Sequence, residues 1–142
     1  PTNYIQSSSE RLTLYKKLSE LKSKDELEIF REQLYDRFGS PPKETEDLIE
    51  SVKLKWIGSV LNFRKITLKN NKMLCYFPDQ SENKFFNSKE FISILQLINT
   101  IDGCKMKEKN IVNKKSLYVV FENINTISDA LENLNRLQLI DN

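Results

Sequence analysis

Apolar residues recur at helical intervals as far as about Leu61, and from Phe63 onward they fall mainly at every second position. The first part predicts three helices. Residues 1–8 are polar and extended, with Tyr4 and Ile5 as a local anchor. Ser8 or Ser9 is placed to cap a first helix running to about Leu21. Its stripe is Leu14, Leu18 and Leu21, broadened by Leu12 and Tyr15. In Glu26–Pro42, ELEIFREQLYDRFGSPP, the residues Leu27, Phe30, Leu34 and Phe38 follow spacings of 3, 4 and 4 and line one helix face. Ser23 and Glu26 have capping-box spacing, which starts this second helix near Lys24. Gly39 stops it at Phe38, because glycine adopts the left-handed backbone of a helix end without steric cost. Pro41 and Pro42 suit the entry to a third helix, where the missing donor of proline is not needed. That helix runs to about Leu61, with Leu48, Ile49, Val52, Trp56 and Val60 on its buried side and Gly58 open to close packing.

Beyond Phe63 the period changes. Residues 65–68 and 72–77 alternate polar and apolar, and the Asn70-Asn71 pair between them tolerates positive φ, which predicts a hairpin. A polar loop, PDQSENKFFN, follows with Phe85 and Phe86 tucked in. Asn87 and Glu90 are spaced as a capping box for a fourth helix through about Thr100, closed by Asp102-Gly103. In residues 104–109, Cys104 and Met106 point inward and Lys105 and Lys107 outward. A turn around Asn113-Lys114-Lys115 leads into a strongly β-prone run, residues 116–122. Asn125 or Thr126 caps a last helix carrying Ile127, Ala130, Leu131, Leu134 and Leu137. The order ααα-ββα-ββα predicts an α+β fold: three N-terminal helices, then a small, mostly antiparallel sheet in a ββα-ββα order with two covering helices.

At 142 residues the chain has the length of one domain, with a helical half over 1–62 and a sheet-containing half over 63–142. It opens on Pro1 with no signal-peptide pattern, and reads as a piece of a longer, cytoplasmic protein. No apolar run approaches the roughly 20 residues of a membrane span. No exposed heptad points to self-association, so the piece is expected to be a monomer.

Candidate chemistry is sparse. The chain contains no histidine, and its two cysteines, Cys75 and Cys104, sit in apolar strand-like sequence. That favours buried free thiols over a disulfide and removes zinc sites and histidine-dependent nucleophiles. Three glycines cannot supply a P-loop or a dinucleotide fingerprint. Glu44, Glu46 and Asp47 are explained by the positive end of the third helix. No enzymatic site, cofactor site or metal site is therefore expected in this chain. Charge is uneven: residues 64–115 hold 11 basic and 5 acidic side chains, a net of +6. Together with Tyr76, Phe77, Tyr118 and Phe121, the block over 64–121 suggests a nucleic-acid-binding module, yet Tyr76 and Phe77 are neighbours on one strand and must face opposite sides. The other reading is a charged surface on the helical half that contacts protein.

Several runs carry a family resemblance. YIQSSSERLTLYKKL, DELEIFREQLYDRFGSPP and DLIESVKLKWIGSVLNFRKI resemble the C-terminal domain of the bacterial transcription-repair coupling factors. The matching residues are Tyr4-Ile5, Arg11-Leu12, Leu14-Tyr15-Lys16, Glu26-Leu27, Leu34, Asp36-Arg37-Phe38-Gly39, Pro42 and Leu54-Lys55. They cover residues 4–66; beyond that only the order of elements fits. The resemblance implies a parent that is an ATP-driven DNA translocase, with ATP and magnesium held by a motor outside this chain. It implies a non-catalytic regulatory domain that packs on the parent's own N-terminal repair module. There it would mask the site for the excision-repair damage-recognition protein and restrain the motor until RNA polymerase is engaged. Carried over by residue, Asp36 and Arg37 are the expected contact residues, with Gln33 and Glu32 one turn earlier. Arg11 and Lys16, with Tyr15, are open between packing and contact.

Overall fold

The computed structural model describes residues 4–5, 7–79, 84–112 and 114–138. The helices are α1 (Ser8–Glu20), α2 (Lys24–Phe38), α3 (Lys43–Val60), α4 (Lys89–Ile98) and α5 (Ile127–Arg136). The strands are β1 (Lys65–Lys69), β2 (Lys72–Tyr76), β3 (Cys104–Ile111) and β4 (Lys114–Phe121), and a 3-10 turn spans Lys84–Asn87. The fold is α+β in the expected ααα-ββα-ββα order. Two compact units divide it, Pro1–Lys53 and Leu54–Asn142, so the boundary falls inside α3.

In the first unit α1 is capped by Ser7, whose hydroxyl accepts from the Glu10 amide at 3.3 Å, and not by Ser8 or Ser9. Leu18 is buried there, but Leu12 and Tyr15 are exposed. Leu12 sits two residues from Leu14, about 200° around the helix, so the two cannot share a face. Ser23 caps α2 by accepting from the Glu26 amide at 3.1 Å. The Glu26 carboxylate reaches past the cap and accepts from the Lys22 amide at 3.0 Å. Leu27, Phe30 and Leu34 are buried, and Phe38 is half-buried. Gly39 ends the helix at φ 82, with its amide donating to the Tyr35 carbonyl at 2.7 Å. The α2 and α3 helices are tied by Arg31, which donates to Glu46 at 2.8 Å and to Glu50 at 2.9 Å.

The buried large apolar residues of α3 are Ile49 and Leu54, joined by Leu61 just past its end, while Leu48 and Val60 are exposed. The stripe of its second half is Leu54, Gly58, Leu61, at i, i+4 and i+7; Val52, Trp56 and Val60 form the neighbouring row. Gly58 is where the sheet comes close, since a Cβ there would stand 2.6 Å from Ile66 Cδ1.

The second unit holds a four-stranded sheet, fully antiparallel, in the order β1-β2-β4-β3. Asn70 and Asn71 take φ 53 and 59, the left-handed pair of a tight hairpin. One sheet face carries Ile66, Met73, Cys75, Phe77, Val119, Phe121 and Cys104, and joins Phe91, Ile94 and Ile98 of α4 and Ala130 and Leu134 of α5 in a single core. Phe77 lies at its centre, 4.8 Å from Phe63, 5.6 Å from Phe85 and 5.4 Å from Phe91 between ring centroids. Three local expectations shift. Ser88, not Asn87, caps α4, because Asn87 closes the preceding 3-10 turn. The helix ends at Ile98 and not Thr100, and Gly103 at φ 75 turns the chain into β3. The Ile111–Lys114 pairing places Lys114 and Lys115 in β4, so they are strand and not turn; Asn113 lies outside the described residues. Thr126 caps α5 with a full capping box through Asp129.

Candidate contact site at the end of α2

The last two turns of α2 present Glu32, Gln33, Asp36 and Arg37, all exposed. Glu32 with Asp36, and Gln33 with Arg37, are four residues apart and stand one above the other. Their exposure follows from the stripe: Leu34 and Phe38 hold the opposite side down. Arg37 is partly engaged, with Nη2 3.4 Å from Glu10 Oε1 and its guanidinium carbon 5.2 Å from the Phe38 ring centroid. Asp36, Glu32 and Gln33 have no side-chain partner among the described residues. Tyr35, 56% exposed, adds an aromatic ring to the same helix end.

The α1 motif is brought to this end of α2. Tyr4 donates its hydroxyl to the Gly39 carbonyl at 2.6 Å, and its ring lies 5.9 Å from that of Phe38. Burial, and secondarily the charge of Glu46, raise the Tyr4 hydroxyl above its ordinary pKa, so it stays a donor. Arg11 points back into its own segment, donating to the Ile5 carbonyl at 3.0 Å and the Ser8 hydroxyl at 3.2 Å. Lys16 is exposed. Tyr4, Ile5, Arg11, Tyr15, Glu44, Thr45 and Leu48 line an open pocket of about 340 Å³ beside the site.

Sequence reasoning missed Glu10, Tyr35 and Arg31. Tyr35 was legible, being a large ring one position off the buried stripe. Glu10 and Arg31 were not, because their partners lie far along the chain. No group of three or more metal-ligating side chains occurs among the described residues. The two thiols are free and buried. Among the described residues no helix is long and apolar enough to cross a membrane.

The element order and the polar helix end that closes α2 define an α+β domain with a helical N-terminal part and a sheet-bearing C-terminal part. The TRCF domain family matches residues 1–88, and the chain belongs to that family. It is 34% identical over 77 residues to the transcription-repair-coupling factor of Rickettsia bellii, covering 54% of this chain and 7% of that protein. Over 141 residues it is 26% identical to the transcription-repair-coupling factor of Borreliella burgdorferi, covering 97% of this chain and 12% of that one. The chain thus spans about an eighth or less of these curated relatives. A crystal structure of the C-terminal domain of transcription-repair coupling factor has the same fold, with a TM-score of 0.64 at 20% identity, covering 100% of this chain and 89% of that one.

Proposed function

We propose that this chain is the C-terminal regulatory domain of a transcription-repair coupling factor, and that the end of α2 is a releasable contact to the parent's N-terminal repair module. While made, the contact masks the binding site of the excision-repair damage-recognition protein and restrains the ATP-dependent DNA translocase. RNA polymerase engagement releases it. In this reading the chain acts in the cytoplasm and does no chemistry itself, and the parent motor is what grips duplex DNA.

The observation that carries the reading is the display of Asp36, Glu32 and Gln33 without side-chain partners among the described residues, on a helix end made rigid from behind. Tyr4, Gly39 and the Arg37–Glu10 pair supply that rigidity. Exposed ion pairs contribute roughly 0.2–1 kcal/mol each, so a lock built from a few of them opens readily. An apolar patch of equal area would hold more tightly than a switch requires. Lys16 lies outside the proposed core of the contact, and Arg11 serves it indirectly by holding the Ile5 segment.

The test is an Asp36→Ala, Arg37→Ala double variant of the full-length parent. ATPase activity without polymerase and affinity for the damage-recognition protein both rise, while the isolated domain stays folded and its melt drops only by the small share of the exposed Arg37–Glu10 pair. If both activities stay at the wild-type level with the domain folded, the lock lies elsewhere.

A further inference from the structure

We propose that the sheet face turned away from α4 and α5 binds single-stranded nucleic acid, its backbone on two lysine rails and its bases on a tyrosine pair between them. The strand register builds this face row by row. Lys65, Tyr76, Tyr118 and Lys107 lie opposite one another across β1, β2, β4 and β3. The next row is Thr67, Leu74, Val120 and Lys105. Tyr76 and Tyr118 are stacked, with ring centroids 5.2 Å apart and planes at 29°. Lys65 Nζ stands 5.6 Å from the Tyr76 centroid.

Lys65 and Lys69 form one rail, and Lys105, Lys107 and Lys109 the other; all five are exposed. Strand spacing puts the rails about 14 Å apart, and alternate residues place the β3 lysines about 7 Å apart along theirs. Among the described residues the one carboxylate that the strand register places on this face, Glu122, is already paired with Lys72 at 3.5 Å. Glu108 and its partner Lys115, 3.6 Å apart, project from the opposite face. None of the five rail lysines is paired with a carboxylate among the described residues.

Lysines on edge strands also guard against edge-to-edge association. That role does not call for an aromatic floor, nor for lysines confined to one face of β3 while Cys104 and Met106 take the other. A cationic border around a mutually stacked tyrosine pair matches a polyanion whose exposed bases can extend that stack. Duplexes keep their base faces stacked, which leaves them only the phosphate contribution here.

The test titrates this chain against fluorescein-labelled oligo(dT), oligo(U) and a duplex of equal length, by anisotropy at low and moderate salt. Both single strands bind more tightly than the duplex. Lys105→Ala with Lys107→Ala flattens the slope of log K against log salt by about 1.4, the share of two phosphate contacts on a single strand. Tyr118→Ala weakens binding roughly five- to 150-fold, while Tyr118→Phe, which keeps the ring, does not. Thermal melts confirm that each variant is folded. Absence of binding at low salt overturns the proposal. So does polyglutamate competing as well as oligo(dT) with no effect of Tyr118→Ala, an outcome that marks the face as a dock for acidic protein.

Discussion

Cys75 and Cys104 show how a burial decision made by single residues sets a pH limit for the whole unit. Burial, and then the neighbouring Cys104, push the Cys75 thiol well above its ordinary range; burial alone pushes Cys104 up to about 12. Both stay protonated in the folded chain long after an unfolded thiol, with pKa about 8.5, has ionised. A raised acid pKa means that the native state holds its proton more tightly, so stability is intact below about pH 8.5 and is lost as pH rises from there toward 12. The urea midpoint is therefore lower at pH 9.5 than at pH 8, and a Cys75→Ala, Cys104→Ala variant loses part of that difference. Equal pH dependence in wild type and variant would show that the thiols are not the cause.

At the scale of elements, the end of α2 is held by its backbone geometry. Gly39 has φ 82 and ψ −168, a region open in practice to glycine alone. A Cβ there would meet nothing within 4 Å, so the cost of Gly39→Ala is entirely backbone strain, about 1–3 kcal/mol. Chemical denaturation of the isolated chain measures it, and a variant as stable as wild type would mean that α2 does not end this way. The position of that end was legible, since the Leu27-Phe30-Leu34-Phe38 stripe, the Ser23 cap and Gly39 all point to the same boundaries. The Asn70-Asn71 hairpin was legible for the same reason of agreement between local signals. Caps inside polar runs were not: Ser7, Ser8 and Ser9 are locally equivalent, and so are Asn87 and Ser88, until helix phase chooses between them. Ile49 is buried as expected, but the buried side of the second half of α3 was missed, because Leu54, Gly58 and Leu61 form a stripe only if the glycine is counted as an apolar contact. Of the contact site, the exposure of Asp36 and its neighbours could be read locally, whereas the bracing from Tyr4 and Glu10 depends on how α1 returns to α2.

For the whole molecule, the division inside α3 separates two kinds of stabilisation. The second unit has a closed apolar core running from Leu54 to Leu137, crowded with aromatic rings around Phe77. A chain of residues 43–142 is accordingly expected to unfold cooperatively, followed through Trp56 fluorescence, with a dispersed amide spectrum. Collapse of that dispersion would show that the core needs the helical unit to form. The first unit has a shorter list of buried side chains and leans on polar bonds, chief among them the Arg31 fork to Glu46 and Glu50.

That fork is asymmetric in its tolerance of mutational drift. Either carboxylate can be replaced and Arg31 still has the other, and Glu50 without Arg31 still has Lys53 at 3.0 Å. Loss of Arg31 instead leaves two carboxylates four residues apart on α3, which repel. Lineages of this domain can therefore wander at Glu46 or Glu50 one at a time, but a change at Arg31 needs a compensating neutralisation on α3 to persist.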